Sequence, residues 1–208
     1  MRNKKYPSTT NERNTWMPLT DMLSSTLMIT FLFIAVTTLI RAMNAKAPVI
    51  NLPDTEEYRF NTGSFTLNQS FSKALNENAI PEIENTIFCY GIDTIEIVGH
   101  TDGRPNTGLG NIDQTIESAF RNSDTKDVIT GSNLDLGFMR AMSVKNEIEK
   151  TLIKKGIQQV SFRILSAGST INEDGEFMPA QNTDQRSRRR IEIRFLRRLE
   201  KPFIPKCS

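Results

Sequence analysis

The sequence predicts an α+β protein in which a single N-terminal transmembrane helix precedes one domain of mixed strands and helices. Residues 19–40 form an apolar stretch that contains one acid, Asp21, and no Lys or Arg. About 20 such residues are enough to cross the hydrocarbon core of a bilayer as a helix. After residue 58, strand-like alternation and helix-like spacing follow in the order β-α-β-α-β-β. This order is typical of helices packed on one side of a mixed sheet.

The flanks of the apolar stretch predict its orientation. Residues 1–18 are polar and richer in Lys and Arg than the segment that follows the stretch. Because positively charged flanks stay in the cytoplasm, we expect residues 1–18 to form a cytoplasmic tail and the domain to lie across the membrane. The residues Ala45-Lys46-Ala47 resemble a signal-peptide cleavage site. A signal core spans only roughly 7–15 residues, so we expect an uncleaved helix.

The domain is expected to follow a short linker, residues 41–57. Tyr58 and Phe60 predict the first strand. Apolar residues at near-helical spacing predict a helix over residues 71–87, with a break before Pro81.

One further helix and three strands complete the predicted domain. Residues 94–98 alternate as a strand, and a helix begins near Leu134. That helix ends in Lys154-Lys155-Gly156, a basic last turn followed by glycine. We expect the domain to span residues 58–198, with a tail at 199–208. Apolar alternation predicts the last two strands around Val160, Phe162 and Ile164, and around Ile191, Ile193 and Phe195.

Residues 103–132 separate the second strand from the second helix. They are rich in Gly, Asn, Asp and Thr. Loops of this length in compact domains are usually functional or disordered. A short helix is predicted over residues 114–120.

The composition argues against several classes of function. The net charge of +2 gives no support for nucleic-acid binding. The arginine-rich stretch at 186–198 overlaps an amphipathic strand, in which Glu192 and Arg194 share the outer face. His100 is the only histidine and there are two cysteines, so Cys and His alone cannot form a zinc site. We expect no metal, no cofactor and no catalytic role for His100, and therefore no enzyme.

Three ordered motifs of the domain resemble the OmpA C-terminal family, a peptidoglycan-binding module also found in the flagellar stator protein MotB. The strand ending IEIVGHTDG covers residues 95–103. The helix start NLDLGFMRAMSV covers residues 133–144, and the closing strand RRRIEI covers residues 188–193. The family's serine in the second motif is Gly137 here, and the loop after the first motif is longer than the family's.

The resemblance implies a site for the diaminopimelate of a peptidoglycan stem peptide, which carries an amine and a carboxylate. Asp102 is expected to take the amine and Arg140 the carboxylate, because an acid and an arginine together match a zwitterion. Asn133 is expected at the helix N-cap, Leu136 in the pocket wall, and Arg189 among the binding residues. The alternative is a structural aspartate at a strand end with a surface ion pair.

Asp21 also has two readings. Thr20 and Asp21 are suitable residues for capping the start of the apolar helix. Alternatively, Asp21 faces a bundle of partner helices and gains and loses a proton as ions cross. Ser24, Ser25 and Met28 share its side of the helix at helical spacing.

The basic tail, the acid-bearing span and the OmpA-like domain together are similar to MotB-type stator subunits of the bacterial inner membrane. The resemblance implies a homodimer within a pentameric, multi-span A subunit of the MotA/ExbB type, with ion passage at Asp21 and anchoring to peptidoglycan. The short linker resembles the stator-type subunits of Zorya anti-phage defence systems more than flagellar ones. A passive OmpA-like tether without ion transport remains the alternative.

Both cysteines, Cys89 and Cys207, follow the span and are expected in the oxidising periplasm. We expect an intramolecular disulfide between them. An intermolecular bridge through Cys207 and two free thiols are the alternatives.

Overall fold

A computed structural model describes residues 16–44, 47–172, 174–179 and 181–197 of the chain. These residues divide into two compact units, one ending at Lys46 and one beginning at Ala47. The first unit is a helix, α1 (Trp16–Asn44). Its segment Pro18–Ile40 is long and apolar enough to cross a membrane, which agrees with the predicted span.

The second unit is an α+β domain built on a four-stranded mixed sheet. Its strands are β1 (Ile50–Pro53), β2 (Thr94–His100), β3 (Ser161–Gly168) and β4 (Arg190–Leu196). Their order in the sheet is β1-β4-β2-β3. Strands β2 and β3 are parallel, whereas β4 runs antiparallel to both β1 and β2.

Four helices accompany the sheet. They are α2 (Gln69–Ala74), α3 (Ile80–Tyr90), α4 (Ile112–Asn122) and α5 (Asn133–Lys154). A π-helical turn, Leu75–Ala79, joins α2 to α3, and Pro81 occupies the first turn of α3. A proline fits there because the first N–H groups of a helix have no partner within it. Instead of the predicted break before Pro81, the chain stays helical from Gln69 to Tyr90 and contains this π-helical turn.

The main core fills the space between the helices and one face of the sheet. The strands contribute alternate residues, because successive side chains of a strand point to opposite faces. The buried residues from strands are Ile50, Leu52, Ile95, Ile97, Ile191 and Ile193, and those from helices include Phe71, Ile80, Ile83, Val144, Ile148 and Leu152.

The first strand was predicted at the wrong place. Tyr58 and Phe60 lie outside any strand, and β1 lies at Ile50–Pro53, inside the segment predicted as linker. Four residues with a proline at the end give little alternation to read, and β1 exists because it pairs with the edge of β4. Tyr58 and Phe60 instead pack on Phe71, with ring centroids 5.4 and 4.8 Å away.

The segment 103–132 contains the predicted helix in a longer form, α4. Asn111 holds the ends of this segment together, since its amide donates to Asp127 O and accepts from Ile129 N, both at 2.7 Å. A small second cluster packs α4 against α5; its buried members are Ala119, Val128 and Met139.

Candidate functional site

A polar cleft of ≈ 440 Å³ opens at one edge of the sheet. Strand β4 is antiparallel to β1 and β2, so the start of β4 meets the ends of those two strands at this edge. Helix α5 begins here too, because it connects the end of β2 to the parallel strand β3. The charged residues of the lining are Asp54, Arg59, Asp102, Arg104, Arg140, Asp184, Arg186 and Arg189.

Arg189 stands at the centre of the cleft and contacts three carboxylates. Its Nε and Nη2 each lie 2.7 Å from Asp54 Oδ2, and its Nη1 lies 2.8 Å from Asp102 Oδ2. Asp184 bonds the same Nη1. Burial disfavours the charged form of Arg189, but its bonds to Asp184, Asp54 and Asp102 outweigh burial and raise its pKa. Arg189 is therefore a fixed positive charge.

Asp102 follows β2 by two residues and has two cationic partners. Besides Arg189, Arg104 Nε lies 3.5 Å from Asp102 Oδ2. The Asp102 side chain is 16% exposed, so its carboxylate is accessible from the cleft.

Arg140 lies in the same cleft but makes no direct ion pair with Asp102. Its Nε donates to Ser64 O at 2.9 Å, and its guanidinium lies 4.9 Å from the centre of the Phe60 ring. Burial, followed by the charge of Arg189, lowers the pKa of Arg140 to about 10, with Asp102 and Asp54 opposing. Arg140 is still cationic at neutral pH.

Leu136 and Asn133 both line the cleft from the first turn of α5. The expected N-cap role of Asn133 is wrong. Ser132 caps the helix, accepting from Asp135 N at 3.1 Å while the Asp135 carboxylate accepts from Ser132 N at 2.9 Å. Asn133 instead donates from its side chain to Arg104 O at 2.7 Å, which steadies the loop after β2.

Gly137 lies where α5 approaches β2 most closely. Helix α5 crosses β2 so closely that a Cβ added to Gly99 would lie 1.9 Å from Gly137 O. A Cβ on Gly137 would lie 2.5 Å from Ser166 Oγ and 2.9 Å from Gly99 O. Two facing glycines therefore allow the start of α5 to approach the end of β2.

His100 belongs to an ion-pair network on the outer face of the sheet. Its Nε2 lies 3.1 Å from Glu192 Oε1. Arg190 and Arg194 bond the two oxygens of Glu192, at 2.8 Å from Nε and 2.5 Å from Nη2 respectively. Contact with His100, followed by the two arginines, holds the pKa of Glu192 well below its usual range despite burial. The arginines on the predicted outer face therefore form ion pairs within the sheet.

Five charged residues of the lining were not predicted as site residues, and three of them, Asp54, Arg104 and Asp184, contact Arg189 or Asp102. Asp54 lies in the supposed linker, and Arg104 and Asp184 lie in loops without a family motif. Of the three, only Asp54 could have been found from the sequence. It directly follows Pro53, and a strand that ends there would place Asp54 at the edge of the sheet. The partners of all three depend on tertiary contacts.

Asp21 lies inside α1 rather than at its start. The helix begins at Trp16, and its first turn contains no acid. Thr20 does not cap the helix, because its hydroxyl donates back to Trp16 O at 3.0 Å. Ser25 donates to the Asp21 carbonyl at 2.8 Å, as expected for residues on one side of a helix. The capping interpretation of Asp21 is therefore unsupported.

The cysteine prediction falls partly outside the described residues. Cys89 is buried in α3 and is disulfide-bonded. Cys207 lies outside the described residues, so the pairing of Cys89 with Cys207 stays a prediction.

The chain is similar to solved MotB-like and cell-wall-anchoring domains at low sequence identity. No protein-family model and no curated protein matches it. A MotB-like protein from Desulfovibrio vulgaris is 16% identical, with a TM-score of 0.43, covering 72% of this chain and 75% of that one. The periplasmic domain of Helicobacter pylori MotB is 21% identical, with a TM-score of 0.39, covering 72% and 76%. The cell wall anchor of the T6SS from Pseudomonas aeruginosa is 18% identical, with a TM-score of 0.37, covering 72% and 81%.

Proposed function

We propose that the chain is the peptidoglycan-anchored B subunit of a proton-driven rotary motor in the bacterial inner membrane. One observation carries the proposal: the chain combines a cleft lined by both signs of charge with an apolar helix that contains a single acid, Asp21. A binding module needs only the cleft, whereas a motor needs both. In the proposed assembly, two copies of the chain stand within five copies of a multi-span A subunit of the MotA/ExbB type.

The cleft suits a ligand that carries an amine and a carboxylate on one short chain, such as the diaminopimelate of peptidoglycan. Arg189 and Arg140 are cationic and line the same cleft, and either attracts a carboxylate. Asp102, with its accessible carboxylate, attracts an ammonium group. Leu136 provides apolar contact for the carbon chain between the two groups. Arg140 also holds Ser64 O, so it positions the wall of the cleft as well as its charge.

In the span, we propose that Asp21 carries the proton. It lies one helical turn inside the segment Pro18–Ile40, at the end that follows the basic residues 1–15. By the positive-inside rule that end faces the cytoplasm and the domain faces the periplasm. An acid at this depth is costly unless it faces other protein, which supports a partner bundle around α1.

A short connection favours the B subunit of the Zorya anti-phage system, ZorB, over a flagellar stator. Only residues 45–49 lie between the end of α1 and the start of β1. By resemblance, flagellar stators carry a plug helix and a longer linker at this point. A flagellar-type stator and a passive cell-wall tether are the competing assignments, and a tether has no use for Asp21.

Wall binding is tested by co-sedimentation of the purified full-length protein with peptidoglycan sacculi. Asp102→Asn preserves the shape of the side chain while removing the negative charge proposed to attract the ammonium group. We expect Asp102→Asn and Arg140→Ala each to lose most of the sedimented fraction, because each removes one of the charges proposed to bind the amine or the carboxylate of the ligand. Circular dichroism would confirm that both variants are folded.

Arg121→Ala is the matched control, since Arg121 pairs with Glu117 on the exposed face of α4. It should sediment like the wild type. If both cleft variants also sediment like the wild type, the cleft is not the wall-binding site.

A further inference from the structure

Arg189 contacts three carboxylates although it carries a single positive charge. One of the three, Asp184, differs from the other two. The side chains of Asp54 and Asp102 are 6% and 16% exposed, and both follow strands of the sheet. Asp184 is 55% exposed and lies on the irregular segment before β4. It reaches Arg189, and it lies 3.5 Å from Arg104 Nη2. Its carboxylate therefore covers the side of the two arginines that faces solvent.

Hydrogen bonds hold the residues on both sides of Asp184, one from the backbone and one between side chains. Gln181 N donates to Gly103 O at 2.9 Å. Arg188 Nη1, buried, donates to Gln185 Oε1 at 2.6 Å. A carboxylate displaced from Arg189 would consequently remain at the mouth of the cleft. The bond from Arg189 also lowers the pKa of Asp184, so the group is ionised at neutral pH.

Ligand binding at Arg189 and Arg104 then becomes an exchange of partners. An incoming carboxylate pairs with the two arginines and displaces Asp184 from them. If the ligand also carries an ammonium group, the released carboxylate gains a new partner and no charge is left unpaired. If the ligand carries only carboxylates, Asp184 is left unpaired beside another anion, which is unfavourable.

We infer that Asp184 makes the cleft selective for zwitterionic ligands over purely anionic ones. The inference rests on the proposed function and adds a specificity-determining residue to it. Asp184 lies outside the three family motifs, so the selectivity comes from this chain's own segment before β4.

The experiment compares two probes with one carbon skeleton: meso-diaminopimelate, which carries two amines, and pimelate, which carries none. Binding of each to the full-length protein in detergent is measured by calorimetry. We expect the wild type to prefer diaminopimelate. In Asp184→Asn, pimelate should bind about five- to tenfold more tightly, since both the competing ion pair and the repulsion are gone. The ratio of the two affinities should also fall, because diaminopimelate loses the Asp184 carboxylate as a partner for its ammonium group.

Asp174→Asn is the matched control, because Asp174 is an exposed acid of the same segment that does not line the cleft. It should keep the wild-type ratio. An unchanged ratio in Asp184→Asn would overturn the inference while leaving wall binding intact. If the wild type binds neither probe but Asp184→Asn binds pimelate, the inference stands and the proposed ligand is wrong. If neither the wild type nor any variant binds either probe, both the inference and the proposed ligand are wrong.

Discussion

At the scale of single residues, Asp21 distinguishes a motor from a tether. The side chain lies one turn inside an apolar helix. The nearby hydroxyls of Thr20 and Ser25 donate to carbonyls of the same helix, four residues earlier in the chain. Side-chain donors that bond within the helix need no water, which suits a segment that crosses a membrane. The carboxylate is the single acidic or basic side chain within Pro18–Ile40, so the helix contains one group that can transfer a proton.

We predict that Asp21→Asn assembles normally and loses all motor-dependent activity, because the amide keeps the shape of the carboxylate and cannot titrate. Phage protection or rotation in cells is the readout, with membrane abundance measured in parallel. Asp21→Glu is the control, since it retains a titratable group and should keep part of the activity. Full activity of the Asn variant would leave the tether as the better assignment.

At the scale of secondary-structure elements, the contact between β2 and α5 determines the geometry of the cleft. Both elements present a glycine where they cross, and the end of β2 and the start of α5 carry Asp102 and Leu136 to the same edge. The helix start is fixed independently by the mutual bonds of Ser132 and Asp135. This side of the cleft is therefore defined by backbone packing and by the helix cap.

We predict that Gly99→Ala lowers the free energy of unfolding by about 3 kcal/mol, because the new methyl group would overlap the backbone of Gly137 and force the two elements apart. Urea unfolding followed by near-ultraviolet circular dichroism measures the change. Gly108→Ala is the control, since its added Cβ would meet only ordinary contacts, the nearest at 3.6 Å. Equal stabilities of the two variants would show that the crossing of β2 and α5 has room for a methyl group.

At the scale of the whole domain, stability depends on the ionised outer face of the sheet. Glu192 binds two arginines and contacts His100, and its folded-state pKa is below its ordinary value of 4.5. Unfolding therefore takes up a proton at low pH. The contribution of Glu192 is complete above its unfolded-state pKa, near 4.5, and is lost as the pH falls towards the folded-state value.

We predict that the wild type loses stability steeply below about pH 4.5, and that Glu192→Gln is less stable at pH 7 by about 1 kcal/mol or more and shows a shallower decline. Thermal unfolding between pH 3 and pH 7 measures both slopes. The exposed Glu117→Gln should follow the wild type throughout. Parallel slopes in the wild type and Glu192→Gln would assign the acid sensitivity to other carboxylates.

The sequence determined the elements whose residues repeat at a regular spacing. The apolar helix, β2, α5, β3 and β4 were all predicted near their observed positions, because the 3.6- and 2-residue periods are written locally in the chain. The three motifs also identified Asp102, Arg140 and Leu136, which lie at one cleft as expected. Strand β1 and the true N-cap, Ser132, were missed, since a short edge strand has little pattern and Asp135 is an unusual capping-box partner.

Only the tertiary structure decided which charges meet. Asp54, Asp102 and Asp184 are far apart in the chain, and they share Arg189 because β4 pairs with both β1 and β2 and brings the residue just before it to their ends. Asp102 consequently pairs with Arg189 and Arg104, whereas Arg140 bonds the carbonyls of the segment before α2. Periodicity fixes the direction in which each side chain points, but ion pairs depend on strand order and register, which are set by the packing of the entire core.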